Sequence, residues 1–143
     1  MRFKYFILIV FFLFSSIDST VLFAYNKADL MKLLQGERNL RGSDLRGAEL
    51  VLINLRGADL SEANLSMADL RSAEMNGADL RNSFLNGTNL SYAILDNVNL
   101  TGANLQNAIL TNVSVKLAKI PVRFKILLKK YNVKNLSTVI WIN

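Results

Sequence analysis

The chain has no cysteine and no histidine among its 143 residues, and only one proline. Lacking thiols and imidazoles, it has no disulfide framework, no thiolate or imidazole metal site, and no nucleophile activated by a histidine base. Acidic residues are absent from one stretch: residues 116–143 carry seven lysines and arginines with nothing to balance them. That stretch dominates the formal net charge of +6, because residues 38–115 hold six arginines against eight acids. Basicity is thus a property of the tail, while the body is close to neutral. The length suits one domain.

What is present begins with a leader. Arg2 and Lys4 precede an unbroken apolar run over residues 5–14, followed by a polar stretch and by Ala24. A membrane-spanning helix needs roughly twenty apolar residues, about twice this run. The pattern predicts a secretory signal peptide over residues 1–24, cut after Ala24, and so export to the periplasm or exterior of a bacterial cell. Leu22, bulky for its place two residues before the cut, leaves an uncleaved anchor open.

From Leu40 onward every fifth residue is large and apolar. The series runs through Leu45, Leu50, Leu55, Leu60, Leu65, Leu70, Met75, Leu80, Leu85, Leu90, Leu95, Leu100, Leu105 and Leu110 to Val115. Two positions earlier stands a mostly small residue such as Ala48, Ala58 or Ala63, with Arg38 and Ile53 as departures. Between the two series lies Asp, Asn or Glu in most units. Five residues turn an α-helix through about 500°, so these leucines would wander around every face. A continuous strand would throw them alternately to opposite sides, and the heptad period does not fit. A chain that bends after each five-residue side returns every leucine to a common axis. The small residue two before it also points inward, and the acid or amide between them points out. The other two positions form the corner, and Gly42, Gly47, Gly57, Gly77, Gly87 and Gly102 all fall on its second residue.

Runs such as Ala58-Asp59-Leu60-Ser61-Glu62 and Ala78-Asp79-Leu80-Arg81-Asn82 resemble the A-(D/N)-L-X-X unit of the pentapeptide-repeat family. The resemblance covers residues 38–115. It implies an all-β solenoid, a right-handed quadrilateral β-helix with four pentapeptides per coil and about four coils. Each buried leucine contributes roughly 1.5–3 kcal/mol. The departures at Arg38 and Ile53 predict a looser first coil.

An open solenoid end exposes its core. Residues 25–37 predict a short N-terminal capping helix, with Asn26 as N-cap, an apolar face of Leu30, Leu33 and Leu34, and Gly36 as terminator. Residues 116–143 predict a mixed C-terminal cap: a helix opened by Pro121 and running to about Tyr131, then a strand near residues 138–142. Outward carboxylates would stack, Asp59 over Asp79 between Asn39 and Asn99, on a face without the pocket catalysis needs. We therefore expect no enzyme, no cofactor and no metal.

Phe84, Ile94 and Ile109 take the outward position that elsewhere carries Asp, Asn or Glu, and Tyr92 takes a corner. They form a candidate contact surface, covered either by the chain's own tail, which is favoured, or by a protein partner, a second copy included. The sequence thus points to an exported, non-catalytic protein-binding or structural module of unidentified partner. The resemblance also brings in the family's mimicry of DNA toward type II topoisomerases. A near-neutral body, a basic tail and a leader weigh against it. Membrane-surface binding through the tail from 116 to 134 is a further alternative, and export disfavours nucleic acid.

Overall fold

The computed structural model describes residues 25–143, and the leader read over residues 1–24 lies outside them. From residue 39 onward one local pattern recurs: an extended residue in a parallel β-bridge, a buried apolar residue, and a two-residue turn. The bridges join Asn39 to Asp59, Asp59 to Asp79 and Asp79 to Asn99, and three further series run alongside, starting at Asp44, Glu49 and Asn54. Each isolated bridge spans 20 residues. With five residues to a side, that register closes one coil in four sides. The cross-section is a square.

Backbone pairing explains why the register is strict, since buried amides must find acceptors. The Leu40 amide donates to the Asp59 carbonyl (2.8 Å) and the Gly42 amide to the Ser61 carbonyl (2.9 Å), both one coil on. The Asp59 amide donates back to the Arg38 carbonyl (2.7 Å). Within the corner, the Ser43 amide reaches the Leu40 carbonyl (3.1 Å), closing a four-residue turn. The same bonds repeat along the body, for example from Leu60 to Asp79, Glu62 to Arg81 and Ala63 to Leu60.

The corners are more demanding than glycine placement alone suggests. Every second corner residue from 42 to 117 has φ between 54° and 73°, and ten of these sixteen are not glycine. A positive φ at the third turn residue is the signature of a type II turn. Asn82, Asn97, Asn107 and Asn112 tolerate it, whereas Leu52, Met67, Tyr92 and Leu117 carry a bulky Cβ substituent there.

Leu45, Leu50, Leu55, Leu60, Leu65, Leu70, Met75, Leu80, Leu85, Leu90, Leu95, Leu100, Leu105 and Leu110 line the axis, none more than 2% exposed. The alanines two positions before them fill the space between. Two hydroxyls that replace alanine are satisfied: Ser83 Oγ donates to the Leu80 carbonyl and Thr88 Oγ1 to the Leu65 carbonyl, both at 2.8 Å. Arg38 stays out of the core, its guanidinium donating to the Asn54 carbonyl (3.1 Å), and Ile53 is half-buried against the core.

At the N-terminal end, α1 (Lys27–Leu34) starts at Asn26, whose Oδ1 accepts from the Ala28 amide (2.9 Å). The Asn26 amide donates to the Asp44 carbonyl (2.8 Å), and Asp29 Oδ2 accepts from the Asp44 amide (3.0 Å). Leu33 joins the core from this helix.

The tail largely follows its sequence reading. Pro121 is the N-cap of a 3₁₀ turn at Val122–Phe124 that runs directly into α2 (Lys125–Lys130), whose C-cap is Tyr131. The addition is β1 (Lys119–Pro121), which Pro121 also closes. After a second 3₁₀ turn at Leu136–Thr138, β2 (Ile140–Ile142) pairs parallel with β1. Bridges Asn99–Lys119 and Ser114–Lys134 keep the 20-residue spacing, so the ladder continues beyond Val115. The helical stretch between them stands where two sides of a further coil would run. Phe124, Leu127, Tyr131, Val133, Leu136 and Trp141 pack against the core from this end.

Leu52 gives a direct test of the corners, because it is 73% exposed at φ 61°. Leu52→Gly removes left-handed strain and loses no packing, so it should stabilise the fold by about 0.5–1 kcal/mol in chemical denaturation.

Candidate contact surface

The outward position does more than face water. In ten units the Asp or Asn side chain folds back, its Oδ1 accepting from the amide two residues on at 3.0–3.4 Å. That amide, on the first corner residue, is the one the inter-coil ladder leaves over. The side chain thereby completes the corner, as an Asx turn does.

The carboxylates have a second partner. Asp44, Asp69 and Asp79 form ion pairs with Arg46, Arg71 and Arg81 at 2.8, 2.6 and 2.6 Å. Arg41 reaches Glu62 (2.6 Å) and Arg56 reaches Glu74 (3.0 Å) in the neighbouring coil. The sequence carried this signal in the triplets Asp44-Leu45-Arg46, Asp69-Leu70-Arg71 and Asp79-Leu80-Arg81. Residues two apart on an extended side share a face, and the intervening leucine points away. Hydrogen bonds from these guanidinium groups hold the Asp44, Asp69 and Asp79 carboxyls below the usual carboxylate range. Asp29 is lowered too, first by the Asp44 amide and then by Lys32.

Asp59 and Asp79 are bridged neighbours between Asn39 and Asn99. Both are engaged: Asp59 accepts from the Ser61 amide (3.0 Å) and hydroxyl (2.5 Å), and Asp79 is held by Arg81. Among the described residues no cluster of three or more metal-ligating side chains occurs. A shallow groove of about 320 Å³ runs between residues 102–107 and Arg123, Phe124 and Leu127, where Arg123 donates to the Ala103 carbonyl (3.0 Å).

The apolar candidates divide. Phe84 is 48% exposed, Tyr92 59% and Ile109 41%, whereas Ile94 is half-buried. Their bridges place Phe84, Ile109 and Ile94 on three successive sides of the square, with Tyr92 at the corner between the last two. The tail does not cover Phe84, Tyr92 or Ile109, contrary to the favoured reading. Its apolar residues face the end of the core, because the ladder directs them onto the last coil. Phe84, Ile94 and Ile109 also lack a side-chain oxygen, so their corners forgo the bond that completes those ten units.

A four-sided β-helix with one axial leucine or its equivalent per five residues defines the class: a solenoid of pentapeptides. The family model described as pentapeptide repeats (8 copies) matches residues 39–77 and 73–112, and the chain belongs to that family. Among solved structures it is similar to a pentapeptide repeat protein of the Arabidopsis thaliana thylakoid lumen, at 30% identity and a TM-score of 0.56, over 60% of this chain and 58% of that one. It is also similar to one from Nostoc PCC 7120, at 30% identity and a TM-score of 0.38, over 75% of this chain and 93% of that one. A third, from the cyanobacterium Cyanothece 51142, has 31% identity and a TM-score of 0.34, over 66% of this chain and 54% of that one. The chain thus spans little more than half the length of the Arabidopsis and Cyanothece proteins. No curated protein matches it.

Two outcomes follow from the double use of Asp79. Asp79→Asn keeps an oxygen for the Arg81 amide and should cost about 0.2–1 kcal/mol for the partly exposed ion pair. Asp79→Ala loses both contacts and should cost about 1–2 kcal/mol in denaturant titration. The lowered carboxyls also make stability pH-dependent. Their contribution is present above the unfolded carboxylate value, near pH 4, and is lost as pH falls through the lower folded values. Thermal melts at stepped pH should be level near neutrality and decline below about pH 4.

Proposed function

We propose that the chain is an exported, non-catalytic module that presents the sides of its β-helix to a protein partner. In this reading the solenoid winds right-handed through about four coils between a helical N-terminal cap and the mixed C-terminal one. The observation that carries it is the exchange at Phe84 and Ile109. Both occupy the position that completes the corner in ten other units, both give up that bond, and both leave apolar surface in water. A residue that weakens its own corner and stays exposed is better explained by a contact than by the fold. Tyr92 adds a ring at a strained corner on the same coils. A second copy of the chain is one candidate partner.

Most acids and amides of the sides are occupied in corner bonds and ion pairs, which supports a binding role over catalysis. The same pairing weighs against DNA mimicry. Five arginines are interleaved with the carboxylates, so the sides lack the uniform negative charge that a duplex presents. Support for export lies in the leader sequence of residues 1–24.

Phe84→Asn and Ile109→Asn restore a corner acceptor and should each raise stability by about 0.5–1 kcal/mol. A loss of stability instead would make these residues structural and remove their contact role. Export is tested by fractionating a bacterial host that expresses the full chain and sequencing the N-terminus. A mature protein beginning near Tyr25 outside the cytoplasm is expected, and full-length cytoplasmic protein would overturn it.

A further inference from the structure

Cations in the body and in the tail are treated differently. Of the six arginines in residues 38–81, five sit in ion pairs and Arg38 donates to a carbonyl. None of the described ion pairs includes a cation of residues 116–143, which contain no acid. The neighbouring coil offers little compensation, since Asp96 is the one acid after Asp79 and is engaged by the Ser114 hydroxyl (2.6 Å) and the Lys116 amide (2.8 Å). This end of the solenoid holds concentrated, uncompensated positive charge.

The helical segment that carries much of this charge has two distinct faces. Leu128 is buried, and Phe124, Leu127 and Tyr131 pack against the core, which fixes the orientation of α2. The other face exposes Val122, Arg123, Lys125, Ile126, Lys129 and Lys130. Ile126 is 84% exposed and Val122, one helical turn earlier, is 48% exposed. Two aliphatic side chains therefore stand bare among four cations on an element whose inner face is already satisfied.

An occupant must supply anionic groups and an apolar phase within the reach of one side chain. A nucleic acid supplies phosphates but nothing that covers Ile126. A single strand is also held by displayed rings on which bases stack, and the rings here, Phe124, Tyr131 and Trp141, pack against the core. An anionic bilayer supplies both, because the phosphates of its headgroups lie a few ångströms above the acyl chains. No described helix is long and apolar enough to cross a membrane, so contact would be at the surface.

We propose that the C-terminal end of the solenoid docks on an anionic lipid bilayer. Ile126 and Val122 enter the headgroup layer, and Lys125, Lys129 and Lys130 meet lipid phosphates. The solenoid axis then stands away from the membrane and its sides remain free, so this docking is independent of any protein partner.

The test uses the full chain, sedimented with phosphatidylcholine vesicles with and without phosphatidylglycerol. Binding to phosphatidylcholine alone measures what residues 1–24 and the apolar contacts contribute, and should be equal in the parent chain and the charge variant. The increment due to phosphatidylglycerol is expected to shrink as salt rises. The triple variant K125E/K129E/K130E should lower that increment by on the order of 100-fold in affinity. Ile126→Ser, which keeps every charge, should weaken it by about tenfold. Circular dichroism confirms folding of each variant, since all four residues are exposed. Equal binding of the triple variant and the parent chain to phosphatidylglycerol vesicles would overturn the proposal. Tighter binding of the parent chain to duplex DNA than to those vesicles would overturn it in favour of nucleic acid.

Discussion

Five amides per repeat must find acceptors in a body that builds no strand longer than a single bridge, and much of the structure follows from how they do so. Three reach across to the adjoining coils, a fourth closes the turn, and in ten units the fifth is met by an aspartate or asparagine side chain. Shifting one coil by a single residue would break all the cross-coil bonds at once and turn the leucines off the axis. The register therefore protects the core, and the core in turn holds the register. Neither would persist alone, because a side of five residues is too short to pair stably without burying its leucine.

The axial series was legible from the sequence because a period of five fits neither a helix nor a strand. Leucine after leucine at that spacing leaves a bending chain as the remaining geometry. The corner was only half legible. Glycine at six sites marked where the turns fall, but Leu52, Met67 and Tyr92 adopt the same left-handed backbone without announcing it. Their strain is imposed by the coils above and below, which composition does not reveal. The sequence turns the aspartates outward, and the bond that the Ser61 amide donates to Asp59 shows that they complete the turn as well. In the tail the helical turns after Pro121 and the late strand were legible, whereas β1 was not, because the pairing of Lys119 with Asn99 and Ile140 creates it.

Charge is distributed on the same logic. Five of the body's eight acids are met by an arginine two residues on or in the next coil, so much of the charge is neutralised over a few ångströms. Such pairs stabilise an exposed surface only modestly. Their larger effect is to leave no extended field of either sign along the coils. The tail breaks this rule, and a molecule with quiet sides and one charged end is oriented by any field it meets.

The pairing of Lys119 with Ile140 spans 21 residues where the ladder otherwise spans 20. One residue of slip, together with helical turns in place of two sides, spoils the template that a bare coil would offer to another molecule. Unfinished parallel edges invite copies to add end to end, which is how cross-β filaments lengthen. A terminal coil that matches no other coil resists that growth, so the repeat can be regular without becoming a fibre.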